Sequence, residues 1–324
     1  MCAMPDASAS RTPEVSILIV TRNTCAQTLE AIESVFSSPD ALGKEVILID
    51  NGSGDDTLKA VSRDFPQVVC HAAGANLGFA KANNLAARQA GGEFLLLLNS
   101  DARLQPEALG LAVDWMRGKP ECGVVGGQLL NPDGSAQNSI ANFPSLATEL
   151  LNKSLLRRFC PRRFPGKEQR FSEPVEVESV VGAFLLTRKA LWNALDGLDE
   201  RFFFFLEETD FCLRARRAGA RIMHLPQVKV WHGQGQTARQ MSAAARIEYW
   251  RSRYSYFQKH RHRSVRLILR IGLLLRLLAD WHTSALITLA TLGQSPRWRQ
   301  KLLTNTVLLT WHFRGRPANA GLPR

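Results

Sequence analysis

The chain has 324 residues, 45% hydrophobic and 22% charged, enough for a sizeable core in one large soluble domain or two smaller ones. Its net charge of +12 is unevenly placed: residues 241–324 carry 15 Lys and Arg against Glu248 and Asp280, a balance of +13, which leaves the first 240 residues at −1. Six scattered cysteines (Cys2, Cys25, Cys70, Cys122, Cys160, Cys212) include no C-x-x-C pair, which argues against a zinc site or a disulfide framework and fits a reducing compartment.

Met1–Glu14 is polar and rich in Ala, Ser and Pro, with no apolar signal core, and is expected to be a disordered leader. From Val15 the pattern alternates. VSILIV (Val15–Val20) predicts a strand and Gln27–Phe36 a helix. EVILID (Glu45–Asp50) is followed by a helical stretch over Asp55–Phe65, and VVCHAA (Val68–Ala73) by an Ala-rich helix over Phe79–Gln89. EFLLLLN (Glu93–Asn99) precedes a helix over Pro106–Met116, with Pro in its first turn. Short apolar runs spaced by helices imply βαβ units and a mostly parallel sheet with helices on both faces.

Beyond Gly123 the pattern changes. GVVGGQLL reads as another strand. Asn138–Glu173, with its basic LLRRFCPRRFPGK, reads as an irregular, mobile loop. VESVVGAFLLT (Val177–Thr187) is strand-like and Arg188–Ala194 a short helix. RFFFFLEETDFCLRARRAG predicts an aromatic strand running into a helix that ends near Gly219, and RIMHLP and VKVWHGQG follow.

Ligands of such open sheets bind beyond the carboxyl ends of the strands. Four successive strand ends there are polar: Thr21-Arg22-Asn23, Asp50-Asn51-Gly52-Ser53-Gly54, Asn76-Leu77-Gly78-Phe79-Ala80 and Asn99-Ser100-Asp101. Singly, each is ordinary turn and cap chemistry. Together on one edge they make a polar crevice.

Three acids follow the aromatic run. Glu207 and Glu208 are adjacent, so mutual repulsion and burial would raise a carboxylate toward the range of a general base. Asp210, four residues before Arg214, fits a helical ion pair instead. His232 ends an apolar run and has Gly233 and Gly235 behind it, so it could supply the imidazole that a lone Asp101 needs beside diphosphate oxygens to hold Mn²⁺ or Mg²⁺. His224 carries no such signal.

VSILIVTRN, ILIDNGSGDDT, NLGFAKANN, LLLLNSDA, VGAFLLTRKAL, GLDERFFFFLEETDFCLRARRAG and VWHGQG occur in this order. The ordered set, covering roughly Val15 to Arg263, resembles family 2 glycosyltransferases of the GT-A fold, especially the bacterial rhamnosyltransferase-like branch that builds surface polysaccharides. The resemblance implies an inverting, metal-dependent transferase. Its GT-A domain would span residues 15–240, with a nucleotide-binding half (15–120) and an acceptor and catalytic half (121–240). Thr21, Arg22, Asn23, Asp50, Asn51 and Ser53 would contact the nucleobase and ribose. Asn76, Gly78, Phe79 and Asn83 would lie beside the nucleotide and sugar, and Asn99, Ser100 and Asp101 at the metal motif. Asp101 and His232 would hold the metal. Glu208, standing where the family usually has Asp, would be the base, with Glu207 its rival. The donor implied is dTDP-rhamnose, with UDP-sugars open, and the acceptor a lipid-linked glycan at the inner face of the cell membrane. A nucleotidyltransferase would want a glycine-rich basic loop after the first strand, which T-R-N-T is not. A catalytically inactive sugar-nucleotide-binding scaffold would have no use for Asp101, Glu207, Glu208 and His232 together.

Residues 241–324 are expected to form a basic helical tail. Along Val265–Leu292, Arg266, Arg270, Arg276 and Asp280 share about a third of the helix circumference at about 100° per residue. Leu267, Ile268, Ile271, Leu274, Leu275 and Leu278 fill the other side. This amphipathic helix with its cationic stripe, together with KHRHR before it, suits an anionic membrane surface. An ordinary helix packed on the domain is the plainer alternative. Nucleic acid is not expected as a partner, because the tail lacks a recognisable module with stacking aromatics.

Overall fold

The computed structural model describes residues 12–161, 163–164, 171–233 and 243–324. The N-terminal half alternates as its apolar runs predict: β1 (Val15–Thr21), α1 (Cys25–Phe36), β2 (Lys44–Asp50), α2 (Thr57–Asp64), β3 (Val69–Ala72), α3 (Phe79–Ala87) and β4 (Phe94–Asn99). Then come β5 (Ala102–Leu104), α4 (Ala108–Arg117), β6 (Cys122–Leu130), β7 (Ile140–Ala141), α5 (Leu146–Leu150), α6 (Lys153–Phe159), β8 (Val175–Glu176), β9 (Ser179–Val180) and β10 (Phe184–Arg188). The chain continues through α7 (Lys189–Ala194), α8 (Glu207–Arg217) and β11 (Arg221–His232) into three helices, α9 (Ala243–His260), α10 (Arg263–Ala290) and α11 (Pro296–Phe313).

The main sheet runs β3-β2-β1-β4-β10-β6-β11-β5, with β8 against β11. The first four strands are parallel, β10 is antiparallel to both β4 and β6, and β6 and β11 are parallel again. Strand residues alternate between two cores because successive side chains point to opposite faces. Ile17, Ile19, Leu96 and Leu98 pack with Ile32, Val61 and Val113 of α1, α2 and α4. Leu18, Leu95 and Leu97 pack with Ala82, Trp192 and Phe211 of α3, α7 and α8. Burial of each such leucine contributes roughly 1.5–3 kcal/mol, which is why four leucines in a row make a central strand covered on both sides.

Several expectations change. The segment 138–173 is not uniformly irregular: it holds β7, α5 and α6, and α5 begins with a Ser145–Thr148 capping box. The aromatic run Arg201–Phe205 is not a strand. Phe205 and Leu206 both take left-handed backbone angles (φ 74° and 68°), which no strand accommodates. Its carbonyls find partners outside any sheet, Phe203 O accepting from Phe79 N at 2.9 Å and Phe204 O from Ser252 Oγ at 2.8 Å. RIMHLP and VKVWH join into the single strand β11, whose register against β6 slips between Leu225 and Lys229, around Pro226. Of the expected leader, residues 1–11 lie outside the described residues, as do Gly235 and the rest of 234–242, whereas Glu14 already bonds Gly43 at 2.7 Å.

The C-terminal helices close a third hydrophobic cluster, in which Leu269, Leu273, Leu277, Leu308 and Trp311 surround Phe202, Trp250 and Tyr256. The expected stripe of α10 is therefore turned inward. Its arginines flank the packed side, and the aliphatic side lies in solvent: Leu267, Ile268, Ile271, Leu275 and Leu278 are exposed, while Leu269, Leu273 and Leu277 are buried.

Candidate active site

Strand register puts the polar strand ends on one level. Thr21 lies opposite Asp50, Val20 opposite Asn99, and Asp50 opposite Ala72. The loops beyond them are clipped together. Asn23, itself left-handed (φ 54°), accepts from Gly54 N at 2.7 Å and donates its own amide to Ser53 Oγ at 2.9 Å. Ser53 N donates to Asp50 Oδ2 at 3.1 Å, while the buried Asp50 Oδ1 has no partner among the described residues. Asn51 bridges to the next loop, donating to Asn76 Oδ1 at 2.9 Å and accepting from Leu77 N at 2.7 Å. Thr21 Oγ1 joins Thr24 and Thr28, and Thr24 reaches Ser100 Oγ at 3.1 Å, so a hydroxyl chain ties the ends of β1 and β4. Arg22 is exposed at the rim. Asn83 is buried and donates to Phe79 O at 2.9 Å, a bond within its own helix.

Asp101 and His232 meet, 131 residues apart in sequence. Pairing of β5 with β11 sets His232 opposite Ala102 and brings His232 Nε2 to 3.4 Å from Asp101 Oδ1. Asn99 Nδ2 donates to the same ring nitrogen at 3.4 Å. Gln137 decides the tautomer. Its amide nitrogen donates to His232 O at 2.6 Å and Leu130 O at 3.2 Å, so its oxygen faces His232 Nδ1 at 3.0 Å and must accept from it. In the neutral ring Nε2 then carries the lone pair, beside a carboxylate. Such a pair suits a divalent cation, and fixing of the far ring nitrogen is the usual support of a ligating histidine. Among the described residues no group of three or more His, Cys, Asp or Glu gathers around a metal site. Asp101 and His232 could therefore hold an ion only together with oxygens from a diphosphate and water.

The acids of α8 are delivered by a strained turn. Two consecutive left-handed residues, Phe205 and Leu206, precede Glu207, each costing about 1–3 kcal/mol. The turn is anchored against α3, where Gly78 (φ 79°) is obligatory: a Cβ there would stand 2.4 Å from Phe203 O. A Cβ on Gly182 would lie 3.7 Å from both Glu208 Cβ and the Phe79 ring, and the neighbouring Ala183 O accepts from Asn99 N at 3.2 Å. Residues 182–183 thus form the seam where α8, α3 and the end of β4 meet. Burial, then the charge of Glu208, pushes Glu207 well above the usual carboxylate range, and its Oε2 has no hydrogen-bond partner among the described residues. Burial lifts Glu208, which is half-buried, to about 7.

Other titratable groups are structural. Asp210 is fully buried; burial acts to raise its pKa, but bonds from His260, Lys259 and Arg214 outweigh that and hold it low. Buried His224 packs on Phe171 and is depressed to about 4 by burial. Beside the first turn of α8 lies a cavity of about 700 Å³, lined by Leu206, Thr209, Tyr249, Arg157, Arg163 and Phe164 among others.

Contacts that sequence reasoning missed are those made through space by unremarkable residues. Gln137, Phe203 and the hydroxyls of Thr24 and Thr28 carry no local signal. Neither does the C-terminal segment, where Pro323 O accepts from Asn76 Nδ2 at 2.7 Å and Arg324 stacks over Phe203 at 4.7 Å.

Residues 16–195 match the family model for glycosyl transferase family 2, which is more than half of the chain. The chain belongs to glycosyl transferase family 2. The enzyme is 29% identical over 278 residues to the N-acetylglucosaminyl-diphospho-decaprenol L-rhamnosyltransferase of Mycobacterium tuberculosis, covering 80% of this chain and 88% of that one. It is 25% identical to the rhamnosyltransferase WbbL of Escherichia coli, over 69% of this chain and 92% of the other. In fold it is similar to the mannosyltransferase PcManGT of Pyrobaculum calidifontis in complex with GDP-Man and Mn²⁺ (TM-score 0.55, 18% identity, 94% and 87% of the two chains). It is also similar to S. aureus TarS in complex with UDP-GlcNAc (TM-score 0.54, 17% identity, 90% and 79%). The fold is GT-A, and the glycosyltransferase activity that goes with the family sets aside the nucleotidyltransferase alternative.

Proposed function

We propose that this glycosyltransferase inverts the anomeric centre as it moves rhamnose from dTDP-rhamnose to a hydroxyl of a lipid-linked glycan, in cell-surface glycan synthesis at the cytoplasmic face of the membrane. UDP-sugars are the alternative donors. Among the supports, the placement of Glu207 and Glu208 carries most weight: a buried acid pair, delivered by a strained turn to the seam where Asn99 and Phe79 meet.

In the proposed reaction Glu208 accepts the proton of the acceptor hydroxyl. That oxygen attacks the anomeric carbon opposite the diphosphate, the bond from carbon to diphosphate oxygen breaks, and the nucleoside diphosphate leaves. A single displacement inverts the centre. Glu207, kept protonated by burial and by its neighbour, leaves the negative charge of the pair on Glu208. Asp101 and His232 would hold Mn²⁺ or Mg²⁺, which when bound supplies positive charge against the leaving diphosphate. Asp50, with its unpartnered Oδ1, would accept a ribose hydroxyl or a base N–H at the floor of the crevice, beside Thr21, Asn23 and Ser53. Rhamnose is favoured because both the mycobacterial and the Escherichia coli relatives are rhamnosyltransferases, and the lipid-linked acceptor because the mycobacterial relative's name carries diphospho-decaprenol.

A thermal-shift screen of dTDP-, UDP- and GDP-sugars with and without Mn²⁺ tests the donor, since a ligand raises Tm in proportion to its preference for the folded state. The largest shift is expected with dTDP-rhamnose and Mn²⁺ together. A larger shift with a GDP-sugar, or shifts indifferent to the metal, would overturn that part of the reading.

A further inference from the structure

Helix α10 has an aliphatic face that no element among the described residues covers. The side turned to the protein buries Leu269, Leu273, Leu277 and Ser284. The charged residues flank that side and are engaged with the body: Arg276 donates to Glu149 O at 3.3 Å, Arg270 stacks over Tyr254 at 6.0 Å, and Asp280 pairs with Lys301 at 3.1 Å. On the opposite side Leu267, Ile268, Ile271, Leu275 and Leu278, then Leu286 and Leu289, are between 37% and 72% exposed. At 1.5 Å per residue this stripe runs about 33 Å along the helix. His282 alone interrupts it, and apolar surface on that scale marks an interaction site.

A second exposed apolar group lies on α6, joined to α10 through α5. Gly272 lets α5 approach closely, since a Cβ there would lie 2.7 Å from Leu150, and α5 leads into the exposed Leu151, Leu155 and Phe159. Leu156 and Arg157 of the same short helix line the cavity beside Leu206 and Thr209 of α8.

Charge identifies the occupant. Across 243–324 there are 15 bases and two acids, and both acids are paired, Glu248 with Arg251 and Asp280 with Lys301. The segment that carries this surface is therefore strongly cationic, with no acid left to meet another basic partner. A second copy of the chain would bring like charge against it. An anionic bilayer offers hydrocarbon for the stripe and phosphate for the cations. No helix among the described residues is long and apolar enough to cross a membrane, so α10 would lie in the interface plane. We propose that the aliphatic face of α10, together with α6, is a docking surface that inserts into an anionic lipid bilayer and sets the cavity beside α8 at the membrane surface. The proposal rests on the membrane association proposed above and sharpens it by naming the face.

The test is flotation of the full chain with phosphatidylcholine vesicles, with and without phosphatidylglycerol, in the absence of donor and acceptor. Wild type should float with the anionic vesicles. The pair Ile271→Asp with Leu275→Asp should lose flotation while keeping the wild-type Tm and the donor-induced thermal shift. A single Leu275→Trp chain should show blue-shifted emission on anionic vesicles, quenched by brominated acyl chains. If wild type floats and the Asp pair floats equally, membrane association stands and the face is wrong. If wild type does not float, both fail, whereas the transferase reading is untouched because no substrate enters the test. If wild type without vesicles sediments as a dimer that the Asp pair dissolves, a second copy covers the face and the proposal is overturned.

Discussion

Two carboxylate sites share the first turn of α8 and have opposite fates. Buried Glu207 and half-buried Glu208 repel each other with no cation against them among the described residues, and both are pushed toward the protonated form. Asp210, more deeply buried than Glu208, is held ionised by Arg214 at 2.7 Å, Lys259 at 2.8 Å and His260 at 2.7 Å. Burial alone therefore says nothing about role. What distinguishes the sites is whether the fold supplies a counter-charge. At Asp210 it does, and the result is a clamp between α8 and α9. At Glu207–Glu208 no described residue supplies one, and the result is a carboxyl poised near neutrality at the crevice.

Exchanging the two situations should break the comparison in measurable ways. Glu208→Gln removes the proposed base and is expected to lower transfer by ~10²–10⁴-fold, with donor affinity retained. Glu207→Gln should cost much less, and release of nucleoside diphosphate from both variants decides which acid is the base. Asp210→Ala should act on folding instead, destabilising by about 1–3 kcal/mol because the buried His260 ring and half-buried Arg214 lose their acid, while Lys259 keeps Asp199. Denaturant unfolding reads that loss. Because the Asp210 pKa is lowered, its contribution is present above the ordinary aspartate range and disappears as pH falls through the folded value.

A smaller effect is expected at the supporting residue of the proposed metal pair. Gln137→Leu should weaken Mn²⁺-dependent nucleotide binding by about 10–100-fold without touching the metal-free affinity, as titration calorimetry would show. Smallest is a gain in stability. Glu208 is raised to about 7, so its ionisation costs stability as pH rises from its unfolded value of 4.5 through 7. Glu208→Gln should therefore raise Tm by a few degrees at pH 8 and leave it nearly unchanged at pH 5. A Tm loss at pH 8 would mean that the carboxylate is satisfied in the folded chain.

The parallel half of the sheet was legible because each strand is a short apolar run bounded by polar turn residues, and Leu95–Leu98 can be covered only by helices on both faces. Asp101 and His232 were legible as partners because each makes poor sense alone. Arg201–Phe205 was not legible as a turn: its composition is that of a buried strand, and only Phe79 and Ser252, distant in sequence, reveal where its carbonyls go. Which side of α10 packs was open for a related reason. The charged side turns inward only because Glu149, Tyr254 and Lys301 lie there to engage it. Gln137 carries no pattern at all, since one side chain orienting another is invisible to periodicity.

The most direct test of the central claim is the pH dependence of transfer, measured with saturating donor for wild type and Glu208→Gln. With Glu208 as the base, the wild-type rate should climb tenfold per pH unit below about 7 and level off above it. The variant should show a low rate with that limb gone. A variant that keeps both the limb and the rate would contradict the assignment.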